Sequence, residues 1–250
     1  MVAEERTYRR WLQTDLRTFE VRVEQSDLLI SAERLLPELA ERALRAARAD
    51  LEAYLARDPE FERSLSPRAV SGDAPEIVRE MARAAEACGV GPMAAVAGAV
   101  AQRVGEALLA QTRQVIVENG GDIYLYTRRP RVAAVYAGLS PITGRLGLRI
   151  TRLEQPVGLC TSSGTVGPSL SFGRADAAVV LAGSAALADA AATALGNRVT
   201  REEDIEPALQ WLASVGGVLG GLVVLGERVG AWGEIELTTV ARGEPGPGKA

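Results

Sequence analysis

The chain contains no histidine, and its 28 basic residues are all arginine except Lys249 near the C-terminus. These two absences exclude Ser-His-Asp and Cys-His catalysis, histidine-ligated zinc and a Schiff-base lysine in the folded body. They also exclude a phosphate-binding loop ending in Gly-Lys-Ser/Thr. Any general base must be Asp, Glu, Tyr or Cys, and any metal site should be rich in oxygen, which suits magnesium or calcium. Cysteine is scarce too: Cys88 and Cys160 are far apart, form no metal-type cluster and read as buried thiols in a reducing compartment. No stretch reaches the roughly eighteen uninterrupted apolar residues of a membrane span. The opening segment, "MVAEERTYRRW", is charged from Glu4 onward and lacks the apolar core of a signal peptide. The expectation is a soluble, cytoplasmic chain with no membrane association. A net charge of −4 and a pI near 5.2 leave no electrostatic footprint for nucleic acid.

What is present is ordinary globular material, with 47% hydrophobic and 24% charged residues spread over 250 positions. Residues 8–31 read as three strands, "YRRWLQT", "TFEVRVEQ" and "DLLISAE", separated by the turns "TDLR" and "QSD". A long amphipathic helix follows, with Leu35, Leu36, Leu39, Ala43, Leu44, Ala47, Leu51 and Leu55 at three- and four-residue steps and Pro37 in its first turn. "DPEFERSLSPRAVSGDAP" reads as a long loop. Helices are expected at 75–87 and at about 92–111, where Ala94, Ala97, Gly98 and Ala101 would admit a second backbone at close range. "RQVIVENGGDIYLYTRR" reads as two strands about a turn, "RVAAVYAGL" as a third, and "GLCTSSGT" as a strand entering a polar loop. "DAAVVLAG" is a buried strand leading into an alanine-rich helix, and Thr200 with Glu203 forms a capping box for the helix after it. A hairpin about Gly226-Glu227-Arg228 closes the domain. Strands run in groups with paired helices between them, so the fold class is α+β (mixed α/β), with layered antiparallel or mixed sheets and long packed helices. Residues 1–240 form one domain in this reading, and 241–250 a disordered tail.

Three stretches carry possible chemistry. In "VIVENGGDIYL", Asn119-Gly120 is a strong hairpin signal by itself, but Gly121 and Asp122 exceed what a plain hairpin needs. Bare glycine backbone there would let a ligand lie against the chain. In "CTSSGTVGPSLSFGRAD", Thr161, Ser162, Ser163, Gly164 and Thr165 supply hydroxyls and loose backbone for a phosphate or ribose, and Arg174 could add charge to an anion. A polar loop without a ligand has the same composition. In "ADAAATALGN", Asp189 and Thr193 lie one turn apart on one helix face among alanines and leucines. A hard cation would compensate an inward carboxylate, with the hydroxyl and main-chain carbonyls completing its oxygen shell, while a simply hydrogen-bonded aspartate is the alternative.

Taken in order, these stretches resemble the flavin transferase (ApbE) superfamily, which moves FMN from FAD to a protein threonine with magnesium. Its C-terminal signature, roughly Ala-Asp-Ala-x-x-Thr-(Ala/Gly)-Leu, matches Ala188-Asp189-Ala190-Ala191-Ala192-Thr193-Ala194-Leu195. The resemblance implies that Asp189 and Thr193 coordinate magnesium. "NGGDI" is similar to the family's Gly-Gly hairpin, "TSSGT" to its Thr-Ser-Gly loop, and "AAVAGAVAQRV" faintly to a Gly-rich helix in which the family has Lys and Asp where this chain has Ala97 and Gln102. The family's His-Ile-Ile-Asp-Pro-x-Thr-Gly loop is replaced by the shorter "GPSLSFGRAD", and its usual export signal is lacking, which implies a cytoplasmic branch. In the implied enzyme, Asn119, Gly120, Gly121, the 161–165 loop and Arg174 bind FAD or a related nucleotide, Asp122 and Asp176 are the candidates for proton transfer, and a protein is the acceptor. A flavin- or nucleotide-binding module without turnover is the second reading. The third is a structural homo-oligomer built on the apolar 215–225 segment or the small-residue helix.

Overall fold

The computed structural model describes residue 9 and residues 14–151, 153–164 and 172–240. Among them, strands β1 (Arg17–Val23) and β2 (Ser26–Ala32) form a hairpin, and helix α1 (Pro37–Arg57) follows. Pro37 occupies the first helical position, where its missing N–H costs nothing, so the helix starts there and leaves Leu35 exposed before it. The stretch expected as loop contains a one-turn helix, α2 (Pro59–Arg63), because Phe61 has an apolar site to fill: it is fully buried with its ring edge against Tyr54. Helix α3 (Glu76–Cys88) ends on Gly89, and a 3-10 turn at Pro92–Ala95 leads into α4 (Val96–Leu109). The expected first strand, "YRRWLQT", lies almost wholly outside the described residues, as do Thr165 and the tail from 241.

Strands β3 (Val115–Asn119) and β4 (Asp122–Tyr126) form the expected hairpin, and β5 is Arg131–Ala134. Strand β6 (Leu146–Ile150) has no counterpart among the expected strands, and the far end of the stretch expected as the closing hairpin, 215–240, is a separate strand, β11 (Glu236–Thr239), that pairs with β6 instead. β7 (Val157–Ser162) and β8 (Ala177–Ala182) precede helix α5 (Ala185–Asn197). Helix α6 (Ile205–Ala213), β9 (Val218–Leu225) and β10 (Arg228–Gly233) follow. The start of α6 corrects the expected capping box. A 3-10 turn at Glu202–Asp204 moves the cap by one residue, so that Asp204, not Glu203, accepts the Thr200 N–H and hydroxyl. That hydroxyl, with the N–H groups behind it, lowers the Asp204 carboxyl to about 2.

Eight strands form one sheet in the order β1-β2-β3-β4-β7-β8-β9-β10, and every neighbouring pair is antiparallel. A three-stranded sheet, β11-β6-β5, is separate. The α+β fold class stands, and the period of two along the strands explains its layers. On one face of the large sheet, Val117, Tyr124, Cys160 and Val180 pack under the helices in the main core. On the other, Leu125, Leu159, Val179 and Leu222 pack against Leu148 and Ile150 of the small sheet. Because both faces are covered, β8 is apolar at all six positions and wholly buried. Close approach of α5 depends on two missing side chains. A Cβ on Gly98 would stand 2.2 Å from the Ala185 carbonyl oxygen, and one on Gly158 would stand 2.3 Å from the Ala185 Cα.

Candidate functional site

Helix α5 is almost entirely sequestered, since nine of its thirteen residues are buried. Its polar residues Asp189, Thr193 and Asn197 recur every fourth position, forming one partly accessible stripe on a helix that is otherwise buried except at Leu187. The expected pair therefore shares a face that reaches solvent without lying open in it. Asp189 turns toward α4: its Oδ2 accepts the Gly98 N–H at 2.9 Å. The Val96 N–H is taken by the Met93 carbonyl of the preceding 3-10 turn, and the carboxylate takes the next two, Ala97 and Gly98, at the positive end of the helix dipole. Asn119 ties the β3–β4 turn to the same spot by donating its Nδ2 to the Ala97 carbonyl at 3.1 Å.

The turn itself is Gly120-Gly121, with φ values of 71° and 105°. The second is a backbone shape that only glycine adopts without strain, and nothing lies within 4 Å of where a Gly121 Cβ would be. The Gly121 N–H donates to Glu118 Oε1 at 2.9 Å, and the other Glu118 oxygen accepts from Arg9 Nε at 2.6 Å. Asp122 follows and is 8% exposed, with Oδ1 buried and without a hydrogen-bond partner. The β4–β7 register sets it opposite Cys160, whose thiol packs on α5 and donates to the Ala185 carbonyl. Burial, then the adjacent Asp189 charge, pushes the Asp122 carboxyl well above the usual range, against the pull of the Cys160 thiol and the Thr161 N–H. Burial likewise raises Asp189 to about 7, against the N–H groups of Gly98 and Ala97. None of the groups acting most strongly on either carboxyl is a cation.

The other expected residues divide. Ser162 lies on the α5 side of β7, buried, with its hydroxyl unpartnered and facing Gly196. Thr161 alternates to the small-sheet side with Leu159, so its side chain points away from α5 and only its N–H reaches Asp122. Ser163 is half-buried at the strand end, and Gly164 is fixed by its N–H bond to the Ala175 carbonyl. Arg174 is exposed and held by its main chain, which donates to Val199. Asp176 is not brought to the cleft. Its Oδ2 accepts the Gly226 N–H at 2.7 Å, securing the β9–β10 turn. Along β8 it is four residues from Val180, the register partner of Cys160, or about 13 Å.

Sequence reasoning missed three residues that build the cleft. Gln102 of α4 accepts the Ala185 N–H at 2.9 Å and the Ser184 hydroxyl at 3.1 Å through Oε1, holding the N-terminus of α5. Arg9 and Glu118 brace the glycine turn from below. A glutamine among the small apolar residues of the first half of α4 was the one available sign for the first. For the other two there was none, since Arg9 and Glu118 are paired only by the fold.

A family model described as AbpE bacteria matches residues 9–211. This chain belongs to that ApbE-like family. Among curated relatives, the UPF0280 protein of Methanosarcina acetivorans is 46% identical over 206 residues, covering 82% of this chain and 81% of the relative. The UPF0280 protein of Methanocaldococcus jannaschii is 45% identical over 201 residues, covering 78% and 82%. Two solved structures share the family fold at low identity. A flavin transferase ApbE from Vibrio cholerae superposes with a TM-score of 0.55 at 13% identity, covering 88% of this chain and 97% of its own. The flavinyl transferase ApbE of Pseudomonas stutzeri, in apo form, gives 0.52 at 14%, covering 89% and 95%.

Proposed function

We propose that this chain is a magnesium-dependent flavin-nucleotide protein that binds FAD or a related dinucleotide in the cleft between the β3–β4 turn, α4 and α5, and breaks its pyrophosphate P–O bond. The FMN phosphoryl group passes to a hydroxyl oxygen of a protein acceptor, whose proton is released, and AMP leaves. One observation carries the reading: two carboxyl groups, Asp122 and Asp189, act on each other in that cleft, and none of the groups acting most strongly on either is a cation. Two neighbouring carboxylates in a largely sheltered cleft repel each other beyond what the Gly98 and Ala97 N–H groups offset, and a hard divalent ion is the simplest compensation. The donor set fits magnesium. It offers carboxylate and hydroxyl oxygen and no imidazole, and burial holds the Cys160 thiol well above its ordinary value. Among the described residues no three or more Cys, Asp or Glu side chains are arranged to hold a metal ion by themselves, so an ion here would take most of its remaining oxygens from water or from the phosphates of a bound nucleotide.

Asp189 and Thr193 would hold the ion, which would offset negative charge on a pyrophosphate and its leaving group. The protein's own share is positional. Gly98 and Asn119 fix the Asp189 carboxylate and the turn against one helix end. Gly120 and Gly121 expose bare backbone at the mouth, where a phosphate or flavin can lie flat. Ser163 and Gly164, just past the end of β7, would border it. Titrating FAD into the protein should give a calorimetric signal that requires magnesium, followed by release of AMP when an acceptor protein is supplied. Absence of both would end this reading.

The second reading, retention of a flavin or nucleotide without turnover, is favoured by the position of the two candidate proton carriers. Asp122 is buried and Asp176 is committed to another turn. Magnesium-dependent FAD binding without AMP release would select it.

A further inference from the structure

We infer that Asp122 is a second carboxylate donor to the cation of this cleft, standing beside Asp189 rather than moving a proton. The inference rests on the reading of the cleft as a divalent-ion site and adds a ligand to it. Its first support is geometric. Asp122 opens β4 between Asn119 and Cys160, on the sheet face that α4 and α5 cover, and the same helices present Gly98 and Asp189. The second support is an unmet valence: Oδ1 is buried without a partner in a residue only 8% exposed. Such an oxygen belongs to a protonated group or to one that holds a ligand.

The Cys160 thiol and the Thr161 N–H act on this carboxyl but leave Oδ1 without a partner, and the nearby polar side chains among the described residues are engaged elsewhere. The Asn119 amide is committed to Ala97, and Arg9 is committed to Glu118 and Asp27. Arg103, the arginine of α4, pairs with Glu80. Proton transfer suits Asp122 poorly, because a general base must come within hydrogen-bond reach of the substrate proton, and this residue is only 8% exposed with Oδ1 buried. A metal donor has the opposite requirement: it must be fixed and sheltered, with one oxygen left over. Two carboxylates and a hydroxyl are the hard, oxygen-only set that magnesium or manganese accepts while keeping waters for a later phosphate.

Manganese is the probe, followed by the loss of its free electron-paramagnetic signal with no nucleotide present. The wild-type chain should bind one ion, and Asp122→Asn and Asp122→Ala should each weaken binding at least tenfold while keeping the far-ultraviolet circular dichroism of the wild type. Asp189→Asn should abolish binding. If a folded Asp122 variant binds manganese as tightly as the wild type while Asp189→Asn does not, the inference is overturned and the Asp189–Thr193 site survives. If the wild type binds no manganese, the inference falls together with the proposed function. An anomalous-scattering map of manganese-soaked wild-type crystals decides the point without a variant. An ion between both carboxylates supports the inference, and an ion on Asp189 with Asp122 turned away overturns it.

Discussion

At the scale of single residues, the cleft depends as much on missing atoms as on functional groups. Gly98 lets α4 lie against α5, and the atoms that a methyl group would strike are main chain, the Ala185 carbonyl oxygen at 2.2 Å and its carbon at 2.7 Å. Backbone packed on both sides cannot rotate away. Gly98→Ala should therefore cost about 2–4 kcal/mol in denaturant unfolding and displace the N–H that anchors Asp189. Gly121→Ala meets open space but must adopt a φ of 105°, so about 1–2 kcal/mol of strain is expected from conformation alone. Which residues matter was only partly legible in the sequence. Asp189 and Thr193 were visible because a carboxylate and a hydroxyl one turn apart stand out among alanines. The hairpin glycines were visible from turn chemistry. The pairing of Asp122 with Asp189 was not, because it joins a strand to a distant helix through the sheet register. Asp176 looked equivalent to Asp122 until the β9–β10 turn claimed its carboxylate.

At the scale of elements, the helix and strand patterns that stood out in the sequence were those one interaction dominates. Helix α1 follows from the spacing of its leucines, and β3–β4 from Asn-Gly between apolar strands. β6 did not stand out and β11 was merged with the closing hairpin, because their residues are mixed in character and gain stability by pairing in the small sheet over a covered sheet face. The capping of α6 was misplaced by one residue because Glu203 and Asp204 are both acidic and only the 3-10 geometry chooses between them. Helix α5 gives the clearest test at this scale. Its N-terminus is held by its own Ser184 and by Gln102 from α4, where the resemblance had suggested only a departure. Gln102→Leu would leave the buried Ala185 N–H without an acceptor, so a loss of about 1–3 kcal/mol in chemical denaturation is expected. Gln102→Glu, which keeps an oxygen there, should lose less.

At the scale of the whole molecule, the electrostatics of the cleft set how stability depends on pH. Folding raises the Asp189 carboxyl from an ordinary 3.8 to about 7 and raises Asp122 as well. The folded state thus binds these protons more tightly than the unfolded chain. Their contribution is complete below about pH 4 and is lost as the pH rises through about 7. Asp204 acts in the other direction. Its carboxyl is lowered to about 2, so its contribution disappears as the pH falls below 4. The ion-free protein should therefore melt highest near pH 4–5 and lower at pH 8, and Asp189→Asn should flatten that decline. A melting temperature that rises steadily from pH 5 to pH 8 would show that these carboxyls do not carry the burden assigned to them. The same penalty is what a divalent ion would relieve, which ties stability to function. The most direct test is thermal unfolding at pH 8 with and without millimolar magnesium, for the wild type beside Asp189→Ala. The account predicts a magnesium-dependent rise in Tm for the wild type that is absent from the variant, and equal responses in the two proteins would contradict it.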